Sequence, residues 1–226
     1  MARDFDGVDD QIDFGSPAAL DDLIVISISI RAKFDALSLG EGLVSKYGAG
    51  AGGWFFSVGS VYDLERPFFT TKWVAGAGDC DANIDLVAGT QYQLGVTYDA
   101  SSTANDPALY VDGVSQGVTE RQTPSGTRGS DAANSLIVGW AGTGAFRCDG
   151  PLAEGGIWDV ILTADEMNAL GDGYSPLLIR PTSLVFYPPL IGNYSPEIDV
   201  VGGNLGTVTG AVKATHPRVY YPRRAA

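Results

Sequence analysis

The strongest constraint in the chain is the run Leu23-Ile-Val-Ile-Ser-Ile-Ser-Ile-Arg-Ala-Lys-Phe34. Ile26, Ile28 and Ile30 fall on one side of an extended chain, and Ser27, Ser29 and Arg31 on the other. A period of two with β-branched residues in phase specifies a strand with one buried face. The pattern returns in Gln91-Tyr-Gln-Leu-Gly-Val-Thr-Tyr98, with Tyr92, Leu94, Val96 and Tyr98 in phase. Trp54 to Val58, Phe68 to Val74, Ser135 to Trp140 and Leu152 to Val160 are further apolar runs bounded by turn residues. Ala108 to Val111 runs into Asp112-Gly113, a strong hairpin signal, and Val114 to Val118 is read as its return strand. The 30 glycines and 12 prolines fall in short clusters between these runs, which fits tight turns rather than disorder. One helix is expected, Thr163 to Leu170, with a capping-box spacing from Thr163 to Glu166 and a stop at Gly171. The expected fold is all-β: an antiparallel two-sheet β-sandwich with one short helix and a C-terminal extension.

Three segments follow. Residues 1–171 read as the sandwich. Residues 172–212 read as an extension packed back on it, because Phe186 and Tyr187 require burial. Residues 213–226 read as a basic, Tyr/Pro-rich tail carrying Lys213, Arg218, Arg223 and Arg224 and no acid. Such an end is either a solvated tail or an anchor for an acidic partner surface, and Tyr220 and Tyr221 would serve the second role. The candidate docking residues are Arg218, Tyr220, Tyr221, Arg223 and Arg224.

With 27 acidic against 14 basic residues and a net charge of −13, the body repels phosphate, so no nucleic-acid partner is expected. No run approaches a membrane span. The opening Met1-Ala-Arg-Asp-Phe-Asp has no apolar core of a signal peptide, so synthesis is expected in a cytoplasm. Cys80 and Cys148 are expected as two free thiols.

Phe5-Asp-Gly-Val-Asp-Asp-Gln-Ile-Asp-Phe14 resembles the opening strand of laminin-G-like jelly rolls of the concanavalin A-like lectin/glucanase superfamily. Gly89 to Asp99 followed by Leu109-Tyr-Val-Asp-Gly113 is similar to that family's central hairpin. Phe146 to Asp159, then Leu162-Thr163 and Glu166, is similar to its closing strand and short helix. The resemblance implies two stacked antiparallel sheets with the N-terminal strand beside a late one. The segment after residue 180 is similar to extensions on such jelly rolls in phage and prophage proteins.

The superfamily's hydrolases need clustered carboxylates about 5–5.5 Å apart for retaining chemistry. None of the six glutamates lies in such a cluster; Glu154 is the nearest candidate and is read as structural. His216 is the only histidine, and Gly48 to Gly53 lacks the Lys-Ser/Thr of a phosphate loop, so no catalytic residue is assigned. The family's use of calcium at a rim implies Asp9, Asp10 and Asp149 as candidate ligands, with Asp99 a further acid; the competing reading is turn acids that cap backbone N–H groups. No other cofactor is implied. Trp140, at a strand end before Ala141-Gly-Thr-Gly144, is the candidate glycan platform, against a role in the core.

The leading expectation is a non-catalytic structural virion protein of a tailed phage, decorating the head or tail surface after cytoplasmic synthesis. Its partners would be capsid or tail-lattice proteins, further copies of itself, and cell-surface glycans held weakly. The alternative is a glycan-binding adhesion module. A glycoside hydrolase ranks third.

Overall fold

A computed structural model describes residues 2–48, 51–144, 146–192 and 195–222. In chain order the strands of the first half are β1 (Ala2–Asp6), β2 (Gln11–Asp13), β3 (Val25–Lys33), β4 (Glu41–Tyr47), β5 (Gly53–Val58), β6 (Pro67–Lys72), β7 (Gly78–Ala82) and β8 (Gln91–Asp99). Then come β9 (Ala108–Val111), β10 (Val114–Ser115), β11 (Val118–Gln122), β12 (Ile137–Val138), β13 (Asp149–Trp158) and helix α1 (Ala164–Gly171). The last are β14 (Leu184–Phe186), β15 (Glu197–Ile198), β16 (Leu205–Thr209) and β17 (Val212–Ala214).

Two antiparallel sheets result. The first runs β10-β9-β8-β3-β13-β1-β17, with β14 also on β13; the second runs β11-β7-β6-β5-β4-β12-β2-β16-β15. The N-terminal strand does lie beside a late one, since β1 pairs with β13. Ile26, Ile28 and Ile30 of β3, with Leu94 and Val96 of β8, face Trp54, Phe56, Val58 and Phe69 of the second sheet across one core. That is the sheet-on-sheet packing the alternation requires.

Three expectations need correction. β3 is buried on both faces: Ser27 and Ser29 are as enclosed as the isoleucines. Helix α1 and its flanks cover them, and the Ser27 hydroxyl serves the cover by donating to the Val160 carbonyl and accepting from the Leu162 N–H. The return strand after Asp112-Gly113 is only two residues long; the chain then crosses to the other sheet as β11. The helix is not stopped at Gly171, which is its last residue. Gly173, at φ +101°, takes the left-handed conformation; its N–H donates to the Leu170 carbonyl, and the Tyr174 N–H donates to the Ala169 carbonyl. The capping box is formed: Thr163 accepts from the Glu166 N–H, and Glu166 accepts from the Thr163 N–H.

A second core lies outside the first sheet. Trp158, Met167, Leu170, Leu184 and Tyr187 pack together, and the Trp158 indole donates to the Ile179 carbonyl at 2.8 Å. The extension adds strands to both sheets. β16 pairs with β2, β17 pairs with β1, and a buried Arg3–Glu197 ion pair at 2.9 Å joins them.

Candidate functional site

The rim where β1 meets β13 is built by a tight turn. Gly7 sits at φ +71°, and a Cβ there would lie 3.1 Å from the Asp149 side chain, so the position requires glycine. The turn gathers carboxylates. Ligand oxygens of Asp6, Asp9 and Asp10 lie within 4.8 Å of one another. Asp149 stands opposite Asp6 in the β1–β13 register. These four, with Asp4 and Asp35, line an open cavity of about 480 Å³.

The acids are not alike. Asp6 accepts from the Val8 N–H at 2.9 Å, and this bond holds its carboxyl below the usual range. Asp10 is buried and accepts from the Asp6 N–H at 3.1 Å; burial, then the Asp6 charge, push its carboxyl up. Burial and the neighbouring Asp35 likewise raise Asp4 and Asp149, and one Asp4 oxygen is enclosed with no hydrogen-bond partner among the described residues. Turn capping therefore accounts for Asp6 and one oxygen of Asp10. It leaves a concentration of carboxylate that repels itself. The clustered oxygens of Asp6, Asp9 and Asp10 fit a hard, oxygen-preferring cation such as calcium. Asp99 accepts from the Ser101 N–H at 2.8 Å and caps its own turn.

Trp140 is half-buried, and its indole donates to the Gly144 carbonyl at 3.3 Å. The Arg147 guanidinium lies 4.3 Å over its ring. The same guanidinium donates to the Asp9 carbonyl at 3.3 Å and to the Gln11 side chain at 3.2 Å. Arg147 thus ties the aromatic platform to the acidic turn. The sequence reading missed it, because nothing local marks Arg147; only the pairing of β1 with β13 brings it to Asp9.

Tail residues lie elsewhere. Glu154 sits in a bulge of β13 at φ +55°, a left-handed conformation that a glutamate rarely adopts. Its buried carboxylate accepts from Tyr187 at 2.6 Å, from Tyr221, and pairs with His216 at 2.9 Å. Burial and the Glu154 charge push both tyrosine hydroxyls far up, so they stay protonated donors. β17 (Val212–Ala214) runs across residues 212 and 213 and pairs with β1, and the chain beyond it follows the body to Tyr221. Tyr220 forms a parallel bridge with Tyr174, and Arg218 lies 5.7 Å over the Tyr220 ring. Tyr220 and Tyr221 keep about half their surface exposed. Arg223 and Arg224 lie outside the described residues. Cys80 and Cys148 are free and buried, and burial lifts the Cys80 thiol to about 12.

Residues 6–168 match a laminin-G family model described as the concanavalin A-like lectin/glucanases superfamily, and the chain belongs to that family. Among solved structures it is similar to a carbohydrate-binding protein, so described provisionally, from Bacteroides ovatus: 17% identity, TM-score 0.71, 97% of this chain and 61% of the other. It therefore spans about three-fifths of that protein. It is also similar to domain 4 of an extracellular arabinanase from Geobacillus stearothermophilus in complex with arabinotriose: 15% identity, TM-score 0.51, 75% of this chain and 76% of the other. A third is the mouse laminin alpha1 chain, domains LG4-5, at 14% identity and TM-score 0.54, covering 73% of this chain and 43% of the other. No curated protein sequence matches. At these identities the structural likeness speaks for the fold.

Proposed function

We propose that this protein is a non-catalytic glycan-binding module whose ligand lies on the rim formed by the Asp6–Asp10 turn, Arg147 and Trp140. One observation carries the reading: Arg147 stacks on Trp140 and also grips the Asp9 carbonyl, so an aromatic face and a bank of carboxylates are held side by side. A sugar offers an apolar ring face and a girdle of hydroxyl donors, and this rim is complementary to both. Two of the structurally similar proteins, the one described provisionally as carbohydrate-binding and the arabinanase domain in complex with arabinotriose, support the same class. A calcium ion would be held by Asp6, Asp9 and Asp10, with open positions for ligand hydroxyls; its chemistry there is charge relief and hydroxyl coordination.

Hydrolysis is disfavoured, although Asp6 and Asp10 are pushed apart in acidity as a catalytic pair would be. One oxygen of each is tied to a turn N–H, which leaves the second for a cation but holds both carboxyls in the turn instead of letting them swing onto a glycosidic oxygen. A glycan array with and without calcium, run beside an assay for new reducing ends, tests the reading. Binding without new ends is expected. New ends would overturn the non-catalytic claim, and an array with no binder would overturn the module itself.

Display on a phage virion is the second reading, favoured by the extension. The outermost strands β15 and β17 both come from it, and Ile198, Val200, Val201, Leu205 and Val212 are exposed there. Exposed apolar side chains at free sheet edges suit docking to a lattice or to a second copy. Val200→Asp with Leu205→Asp should then abolish particle binding or self-association seen by light scattering; an unchanged assembly would reject it.

A further inference from the structure

The outward face of the second sheet carries a row of rings that the rim does not use. Tyr47 meets Phe55 at 5.2 Å, Phe55 meets Phe68 at 6.0 Å, and Phe68 meets Tyr62 at 6.1 Å. Cross-strand register explains the row. Phe55 of β5 is opposite Thr70 of β6, which is opposite Asp79 of β7, so all three side chains share one face. Phe55 and Phe68 form a closed floor, while Tyr62 is 43% exposed and Tyr47 half-buried.

Asp79 sits on this floor. It accepts from the Thr70 hydroxyl at 3.0 Å and from the Tyr62 hydroxyl at 3.4 Å. The second bond is at the long limit, so a better donor can replace it. Burial pushes the Asp79 carboxyl up, and its charge acts on both Tyr47 and Tyr62. Two cations flank the row, and each is already engaged. Lys72 lies 5.3 Å over Tyr47 and donates to the Gly48 carbonyl; Arg121 lies 5.7 Å over Tyr62 and is paired with Asp81 at 2.8 Å. What remains for a ligand is a carboxylate with one long, replaceable bond, beside the exposed Tyr62 ring and the half-buried Tyr47 ring, on a protein of net charge −13. The complement is a neutral molecule with hydroxyl donors and apolar faces, not an anion.

Resting on the glycan-binding reading, we infer that the Tyr47–Asp79–Tyr62 face is a second sugar subsite, separate from the Trp140 rim, that takes a neutral oligosaccharide stretch. Its rings stack on the tyrosines, and its hydroxyls donate to Asp79 in place of Tyr62. Arg121 and Lys72 act as positioning residues that hold the two rings.

Affinity electrophoresis of the full chain through gels containing arabinan, xylan or hydroxyethyl cellulose tests this. Wild type should be retarded by at least one of them. Asp79→Asn and Tyr62→Ala should weaken that retardation about tenfold, the size of effect one charge-assisted bond or one stacked ring supports. Tyr62→Phe should be retarded at least as strongly as wild type, because it keeps the ring and removes the hydroxyl that competes for Asp79. Tyr62 is exposed, so its variants are expected to melt with wild type, and a melting curve checks this. Retardation unchanged by Asp79→Asn and Tyr62→Ala but lost in Trp140→Ala would overturn the second subsite and leave the rim standing. No retardation of wild type on any of the three gels would overturn the neutral-glycan subsite, while the array with Trp140→Ala judges the rim separately.

Discussion

Two groups of acids on the first sheet have opposite fates. Glu154 is enclosed, and three side chains from the extension and tail converge on it. Asp4, Asp10 and Asp149 face an open cavity, crowd one another, and sit above their usual acidity range. A saturated carboxylate stabilises the fold and has nothing left to offer a ligand. A crowded, under-bonded group costs stability, and that cost falls when a cation or hydroxyl donor arrives. Glu154, the glutamate nearest to catalytic and read as structural in the sequence, is bonded as a structural node, while Asp10 and Asp149, read as calcium ligands or turn caps, line the open cavity.

Glu154→Ala breaks the comparison hardest. It strands the Tyr187 and Tyr221 hydroxyls and His216 at a strained bulge, and should cost about 3 kcal/mol by urea denaturation. A loss near zero would mean that the node carries no stability. Tyr221→Phe removes one bond to the same carboxylate and should cost about 1 kcal/mol, reduced from the buried value because the ring is half-exposed. A loss as large as that of Glu154→Ala would show that the strap, not the carboxylate, is the element that matters.

Asp10→Asn should go the other way. A carboxyl raised in the folded state favours folding when protonated, and that contribution is lost as pH rises through its folded value. Asp10→Asn should therefore be more stable than wild type at pH 7 by under about 1 kcal/mol, with the gap closing as pH falls toward 4. A gap that widens in acid would contradict the assignment. The smallest stability change belongs to Arg147→Ala. Its bonds are at the surface, so melting should shift by no more than about 0.5 kcal/mol, yet array binding should fall because Trp140 loses its support.

How much of this was legible depends on where each residue finds its partner. β3 and β8 were readable because alternation is local. β4 and β7 were not. β4 opens on Glu41 and carries Lys46 next to its end, and the fully buried Lys46 is met by Asp21 and Asp131, distant in sequence, at 2.9 and 3.3 Å and by the Asp131 and Asn134 carbonyls. β7 reads Gly-Asp-Cys-Asp-Ala, a poor strand until Arg121 covers Asp81. The meeting of the opening acids with Asp149 followed from the family resemblance, while Arg147 did not. The tail misled for the same reason: its donors look solvated until Glu154, a distant acid before Gly155-Gly156, is seen to receive them. That acid before two glycines in a strand is the local sign of a bulge that could have been read.

The most direct test sets Trp140→Ala beside Glu154→Gln on one glycan array, with a melting curve for each. A separation is predicted: Trp140→Ala melts with wild type and loses the glycans held at the rim, whereas Glu154→Gln melts early and, below its transition, keeps the wild-type binding pattern. If Trp140→Ala still binds as wild type does while Glu154→Gln loses binding without losing stability, the ligand sits at the node and the account is wrong.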